Sequence, residues 1–401
     1  MPRIETYVRL LLCGTVLAAG GFLVYRKYER KQVPLLIGLV VGKAEGSTAA
    51  AAARLAAQEV SNEGGFRGRS MDVLVGESAG DPRAAAAAAE QLIRNRQVIA
   101  LLVDGSPAEC DAVAEVAGRA RITVFTAQPS LGLDDAGEAI KLGGLPNQRI
   151  APAIAWALEA VGDRVILVAS DGPLQRVANA MLMEQIRSQA GTVLEQIWIG
   201  RDGVTPESAA AQISALVTAS RSDQSPPADR PRLIVSGIEA ADAVKFAVAL
   251  RKDGVSSEAL PTLHYALGDH DIASLHAGLS AGDYIVDATS DAAYAATRLT
   301  ALAARRRDAI DRSGIRAAVL GSRVSSPSGP VAIDPLTAAA WFRCRVGRLN
   351  DANQVVEVWS DEHATRPRAW PIWKSREEWR AIADGTTTVA DPMKDEDRPY
   401  E

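Results

Sequence analysis

The sequence predicts an α/β protein of two doubly wound, Rossmann-like lobes with parallel sheets, preceded by an N-terminal transmembrane helix. Three observations carry this expectation. Apolar runs of strand length alternate with helical stretches, the alternation restarts near the middle of the chain, and one long apolar run stands at the N-terminus.

The first series begins with PLLIGLVV (34–41), followed by an Ala-rich stretch from Ser47 to Ser61. MDVLVG (71–76) leads into a second helix over 81–94, VIALLV (98–103) into one opening at Ser106-Pro107, and ITVFTA (122–127) closes the series. Continuous apolar strands, each succeeded by a helix, are the pattern of a parallel sheet covered on both faces. The second series is RVILVAS (164–170), TVLEQIWI (192–199) and RLIVSG (232–237), with helices ending near Gln189, opening near Thr205 and ending near Asp253. Two βαβ series imply two lobes. The alanine runs read as ordinary packed helices, because alanine has the highest helix propensity and lets a helix approach a sheet closely. SRSDQSPPADRP (220–231) reads as a solvated loop. Beyond His363 the mixture of Pro, Trp and charge reads as an appended tail, 363–401, packing near Trp370, Trp373 and Trp379 and ending in disorder.

With 401 residues, 47% hydrophobic and 23% charged, the chain is long enough for two cores. A net charge of -5 and the lack of a basic stripe argue against nucleic acid as a partner, since phosphate binding needs clustered Lys and Arg. Three cysteines, Cys13, Cys110 and Cys344, are too few for a disulfide framework and lack zinc-site spacing. Buried free thiols are expected, with a Cys110–Cys344 bridge the alternative in an exported chain.

VRLLLCGTVLAAGGFLVY (8–25) is just long enough to span a hydrocarbon core. The small residues Ala18 to Gly21 are followed by more apolar ones, so an uncleaved anchor is expected rather than a signal peptide. Lipidation at Cys13 is the alternative; bulky Leu12 counts against it. Residues 1–32 are read as anchor and basic tether. Arg26, Lys27, Arg30 and Lys31 follow the span, which by the positive-inside rule alone would keep the large domain cytoplasmic.

In open parallel sheets, ligands bind beyond the carboxyl ends of the strands, where helix N-termini offer free N–H groups. Those ends carry Glu45 and Ser47 after the first strand, Gly105 and Ser106 after the third, and Gln128 after the fourth. In the second series they carry Ser170 and Asp171, then Gly237 and Glu239. These residues, with Asp269, are the candidate ligand-binding set. For Ser47, Ser106 and Ser170, helix capping is an equally direct reading. Walker, GxGxxG and nucleophile-elbow patterns are absent from the sequence, so no catalytic residue and no cofactor are expected. Asp269, His270 and Asp271, with His264 nearby, read as a solvated loop; no metal is expected.

Specific residues match a known family. Asn62-Glu63-Gly64-Gly65-Phe66-Arg67-Gly68, a strand, then Asp81-Pro82 resemble the opening of the urea/amide-type members of the branched-chain amino-acid group of ABC-transporter solute-binding proteins. GGLPNQRIAPAIAWAL (143–158) resembles that group's first crossing between lobes. Ser326-Pro327-Ser328-Gly329-Pro330 with Ile333-Asp334, RVGRLNDANQVVEVWS and ATRPRAWP resemble its closing hairpin and tail. The resemblance runs from about 34 to 372 and implies a type I periplasmic-binding fold with three hinge crossings. Lobe 1 is then 33–143 plus 266–330 and lobe 2 is 144–265 plus 331–362. A small polar ligand such as urea, a short amide or an amino acid would sit between the lobes for ABC-type uptake or sensing, with a permease or membrane sensor as partner and a periplasmic or extracytoplasmic location. The departures are a short first loop and the absence of aromatics at Gly172-Pro173 and Ala127-Gln128-Pro129. They motivate an alternative: a divergent sensor ectodomain or protein-interaction scaffold with a degenerate cleft, its Trp-bearing tail serving as partner surface.

Overall fold

A computed structural model describes residues 33–94, 98–131, 139–220, 230–267, 281–286, 291–307, 312–352, 354–368 and 374–386. The proposed anchor at 8–25, most of the 220–231 loop, the Asp269–Asp271 cluster, Trp370, Trp373 and the end of the tail lie outside these residues. Among the described residues no helix is long and apolar enough to cross a membrane.

In chain order the elements are β1 (Leu35–Val41), α1 (Thr48–Asn62), β2 (Met71–Glu77), α2 (Pro82–Arg94), β3 (Val98–Asp104), α3 (Pro107–Ala120), β4 (Thr123–Thr126), β5 (Ala139–Lys141), α4 (Pro146–Ala160), β6 (Arg164–Ser170), α5 (Pro173–Ser188), β7 (Thr192–Ile199) and α6 (Pro206–Ser220). There follow β8 (Leu233–Gly237), α7 (Ala240–Lys252), β9 (Thr262–His264), β10 (Tyr284–Val286), α8 (Ala292–Arg307), α9 (Arg312–Val319), β11 (Arg323–Ser326), β12 (Gly329–Ala332), β13 (Arg345–Leu349), β14 (Val355–Ser360) and α10 (Arg376–Ala383). Each strand expected from the two apolar series is present.

The chain divides into two compact units, 1–126 with 291–326 and 127–290 with 327–401, so it passes from one to the other three times. Unit 1 holds the parallel order β2-β1-β3-β4. All seven residues of β1 are buried, as a central strand covered on both faces requires. Small residues let α2 close on this sheet: a Cβ at Gly76 would lie 3.0 Å from Ala88 of α2, and one at Gly38 3.2 Å from Leu92 of the same helix. On the opposite face α8 lies along α1, joined by Arg298 to Glu63 at 2.6 Å, Arg305 to Glu63 at 3.3 Å, and the Tyr294 hydroxyl donating to Glu59.

Unit 2 is a seven-stranded sheet in the order β14-β13-β10-β9-β8-β6-β7, parallel from β10 to β7 and antiparallel at β10/β13 and β13/β14. Tyr284–Val286 belongs to this sheet as β10, and the chain returns to unit 1 at Asp291, later than the 266 expected. The expected closing hairpin is β13/β14. The tail is ordered over α10: Ser375 caps the helix with a reciprocal capping box to Glu378, and Trp379 is 0% exposed against Val177, Ala180 and Met181 of α5.

His264, at the end of β9, is 1% exposed, and neither ring nitrogen has a hydrogen-bond partner. Burial drives its pKa down from 6.5 to about 4, against the pull of Asp283 and with help from Arg251. The imidazole is therefore neutral when folded but takes a proton when unfolded at mildly acid pH. Stability falls as pH drops from 6.5 towards 4, by about 3 kcal/mol in all. Urea unfolding at pH 7 and pH 4.5 should show the wild type losing about 2–3 kcal/mol more than His264→Leu across that interval; equal losses would contradict this assignment.

Candidate functional site

The polar groups at the carboxyl ends of the strands are tied to one another within each unit. In unit 1, Ser47 caps α1 by accepting from the Ala50 N–H at 3.1 Å. Glu45 is largely exposed and pairs with exposed Lys43, at 3.2 Å. The ends of β1 and β2 are joined by the Ala44 N–H, which donates to Glu77 at 2.8 Å, and by the Ser78 N–H, which donates to the Val41 carbonyl at 2.9 Å.

Glu109, on the first turn of α3, organises the end of β3. It is 3% exposed, and its carboxylate accepts the Ser106 N–H at 2.7 Å, the Ser106 hydroxyl at 2.8 Å and the Ser78 hydroxyl. Gly105 leaves room for it, since a Cβ there would meet Glu109 Oε2 at 2.9 Å. Cys110, the next residue, is buried and its thiol is pushed up to about 12, chiefly by desolvation. Cys110 and Cys344 are both buried and free, as the sequence led one to expect.

In unit 2, Ser170 at the end of β6 accepts the Glu239 N–H at 3.2 Å, linking β6 to the start of α7. Buried Gln175 donates to the Glu239 carboxylate at 3.2 Å. Asp171 receives Arg176 Nε at 2.7 Å and Arg201 Nη2 at 3.0 Å. The Arg176 bond, more than any other influence, holds its carboxyl below the ordinary aspartate range. Arg201 stands over the Trp198 ring at 4.9 Å and is 38% exposed, so one face of this cluster reaches solvent. At Gly237 the backbone passes so close to Tyr265 that a Cβ would lie 2.1 Å from the phenol oxygen; that hydroxyl donates to Asn179 at 3.1 Å. Tyr265 is thus an aromatic at a strand end, but a buried one.

Ser170, Asp171, Gly237 and Glu239 therefore share one end of the unit 2 sheet, and Gly105 and Ser106 share an end of the unit 1 sheet with Ser78. The main chain of Gln128 packs on Gly143, where a Cβ would meet the Gln128 carbonyl at 2.1 Å. Asp269 lies outside the described residues. Glu109, Gln175, Arg176 and Arg201 were not singled out from sequence. Ser106-Pro107-Ala108-Glu109 does carry a capping-box signature that would have found Glu109; the two arginines carry no comparable local signal. Among the described residues no group of three or more His, Cys, Asp or Glu is placed to hold a metal.

A concavity of about 930 Å³ lies elsewhere, between the carboxyl ends of α4 and α5 and the first residue of β6, lined by Trp156, Glu159, Arg164, Arg232, Trp359 and Asp361 among others. It is at the amino ends of β6 and β8, opposite Ser170 and Gly237. Helix carboxyl termini offer carbonyls rather than N–H groups there.

Two segments, 41–287 and 282–376, match the family described as periplasmic binding protein domain. The chain belongs to that family. Solved structures with the same fold include an amino-acid ABC-transporter substrate-binding protein of Pseudomonas fluorescens, with TM-score 0.67 at 12% identity over 84% of this chain and 97% of that one. A solute-binding protein of Rhodopseudomonas palustris in complex with p-hydroxybenzoic acid gives 0.66 at 16% identity over 85% and 98%. A leucine-binding protein of Thermotoga maritima gives 0.60 at 14% identity over 81% and 98%. This periplasmic binding protein thus has the type I fold of the branched-chain amino-acid group, as the sequence motifs implied.

The Glu109 network gives a measurable consequence for this family member's first unit. Glu109→Ala removes the acceptor of the Ser106 N–H and hydroxyl and leaves the buried Ser78 hydroxyl only the Val41 carbonyl, at 3.1 Å; it should cost about 1 kcal/mol, and Ser106→Ala about 1 kcal/mol for the lost cap. In chemical denaturation the double variant should lose clearly less than the sum. Strict additivity would show that the two residues do not act as one network.

Proposed function

We propose that this chain is a non-enzymatic, extracytoplasmic solute-binding protein of the ABC-transporter type, whose ligand is a small polar molecule. The carrying observation is the end of the unit 2 sheet, where four candidate residues, Ser170, Asp171, Gly237 and Glu239, meet at the openings of α5 and α7. Helix openings favour negative or hydrogen-bond-accepting groups. Arg201, cationic and backed by Trp198, adds a surface suited to a carboxylate beside an apolar group. An amino acid or an aromatic acid fits this chemistry better than urea or a short amide, and the relatives crystallised with hydroxybenzoic acid or described as leucine-binding support that choice.

Residues 8–25 are proposed as the tether, with the binding units on the outer face of the membrane and a permease as the receiving partner. The family's periplasmic description supports that orientation against the basic residues that follow the span. The alternative reading, a scaffold using its Trp-bearing tail to dock partners, loses one of its anchors, because Trp379 is spent on α5 of its own chain.

A thermal-shift series with leucine, benzoate, 4-hydroxybenzoate, urea and acetamide tests the ligand class. A ligand that binds only the folded state at about 100 times its Kd adds about 2.7 kcal/mol, a rise of a few degrees in Tm. At least one carboxylate is expected to give that rise, with urea and acetamide giving less. Silence from all five at millimolar concentration would remove the small-solute reading.

A further inference from the structure

Arg176 joins two segments, and its Nη2 donates to the Asp171 main-chain carbonyl at 3.4 Å. Its Nε donates to Asp171 at 2.7 Å, at the end of β6, and its Nη1 donates to the carbonyl of Ala383 at 2.8 Å, in the last turn of α10. The chain beyond α10 also presses on it, since a Cβ at Gly385 would lie 3.0 Å from Arg176 Nη1. The rest of α10 is anchored by burial: Trp379, Ile382 and Ala383 pack on Val177, Ala180 and Met181 with Leu131 against them. The same helix, α5, thus carries α10 on one face and starts at the strand-end loop 170–172 that bears the candidate ligand residues.

A helix C-terminus leaves its last carbonyls without intrahelical partners, and a guanidinium is the side chain best able to fill one while holding a carboxylate with its other N–H groups. Asp171 is also held by Arg201, which approaches both carboxylate oxygens, at 3.0 and 3.2 Å. The carboxylate therefore has no oxygen left unengaged by the chain's own cations. A solute that draws Asp171 away from Arg176, or brings its own carboxylate to Arg176, competes with this chain of contacts.

From these contacts we propose that α10 is a latch on the binding end of unit 2 and Arg176 the positioning residue that couples them, so that engagement of Asp171 and docking of α10 oppose each other. This rests on Asp171 belonging to the ligand-binding end, but the linkage between Asp171 and α10 exists with or without a solute. Linkage of this kind is reciprocal: whatever loosens one end loosens the other by the same factor.

Hydrogen–deuterium exchange of the full chain, without added ligand, tests it. Asp171→Asn touches no atom of α10, yet exchange over 380–386 is expected to rise by roughly fivefold or more, the lower range of ordinary coupling between sites. Trp379→Ala is expected to raise exchange over 170–176 by a similar factor while α1 in unit 1 stays at its wild-type rate. Arg176→Met, which keeps the apolar stem and removes every guanidinium bond to Asp171 and Ala383, should raise both segments. If Asp171→Asn leaves 380–386 within about twofold of wild type, the latch and the strand end are uncoupled and the proposal fails. Should Trp379→Ala unfold unit 2, the Asp171→Asn result alone decides. Because no solute is present, this outcome is independent of whether any carboxylate shifts Tm.

Discussion

Parallel strands covered on both faces have nowhere along their length to place chemistry. In β1, β3, β6 and β8 nearly every side chain is buried and apolar, and each strand is flanked by a parallel partner on both sides. Free donors, charged side chains and conformational variety are pushed to the strand ends, where each chain segment turns into a helix. That constraint decides where this molecule can hold a solute, and it acts separately in each unit.

The strand ends are not left open for a ligand. In unit 1 the donors at the start of α3 are taken by Glu109, and in unit 2 the Asp171 carboxylate just beyond β6 is taken by Arg176 and Arg201. Each arrangement is a locally satisfied polar network, which rigidifies the loops at the cost of any bond a solute must displace. Rigid ends favour selectivity, because a ligand that fails to replace the lost bonds leaves buried groups unpaired. The two ends also differ in charge balance. Glu45, Glu77 and Glu109 stand at the unit 1 end with Lys43, whereas in unit 2 Arg176 and Arg201 balance Asp171 and Glu239.

The fold was largely legible in the sequence because its signal is local. Uninterrupted runs such as VIALLV and RVILVAS mark doubly covered strands, and alanine-rich stretches mark helices that must approach closely, as Gly38 and Gly76 confirm by the narrow space they leave beneath Leu92 and Ala88. The loops Gly105-Ser106 and Ser170-Asp171 were legible for the same reason, since a strand end followed by a helix start locates them. What escaped depends on distance along the chain. Arg201 reaches Asp171 from the end of the next strand, Arg176 meets the Ala383 carbonyl 207 residues away, and Trp379 finds its pocket on α5. None of these leaves a periodic or spaced trace. Tyr284–Val286 escaped because three residues are too few to carry a pattern, so its membership of the unit 2 sheet follows only from its ladders to β9 and β13.

The account stands on the carboxyl ends of the strands being the binding ends, against the concavity at the amino ends of β6 and β8. Footprinting by solution NMR with selectively methyl-labelled protein, titrated with whichever carboxylate raises Tm, addresses this directly. Perturbations centred on Ala44, Ala169 and Ile199, beside the strand-end loops, are the predicted result. Perturbations centred instead on Ala155, Leu158 and Val161, which line the concavity, would contradict it.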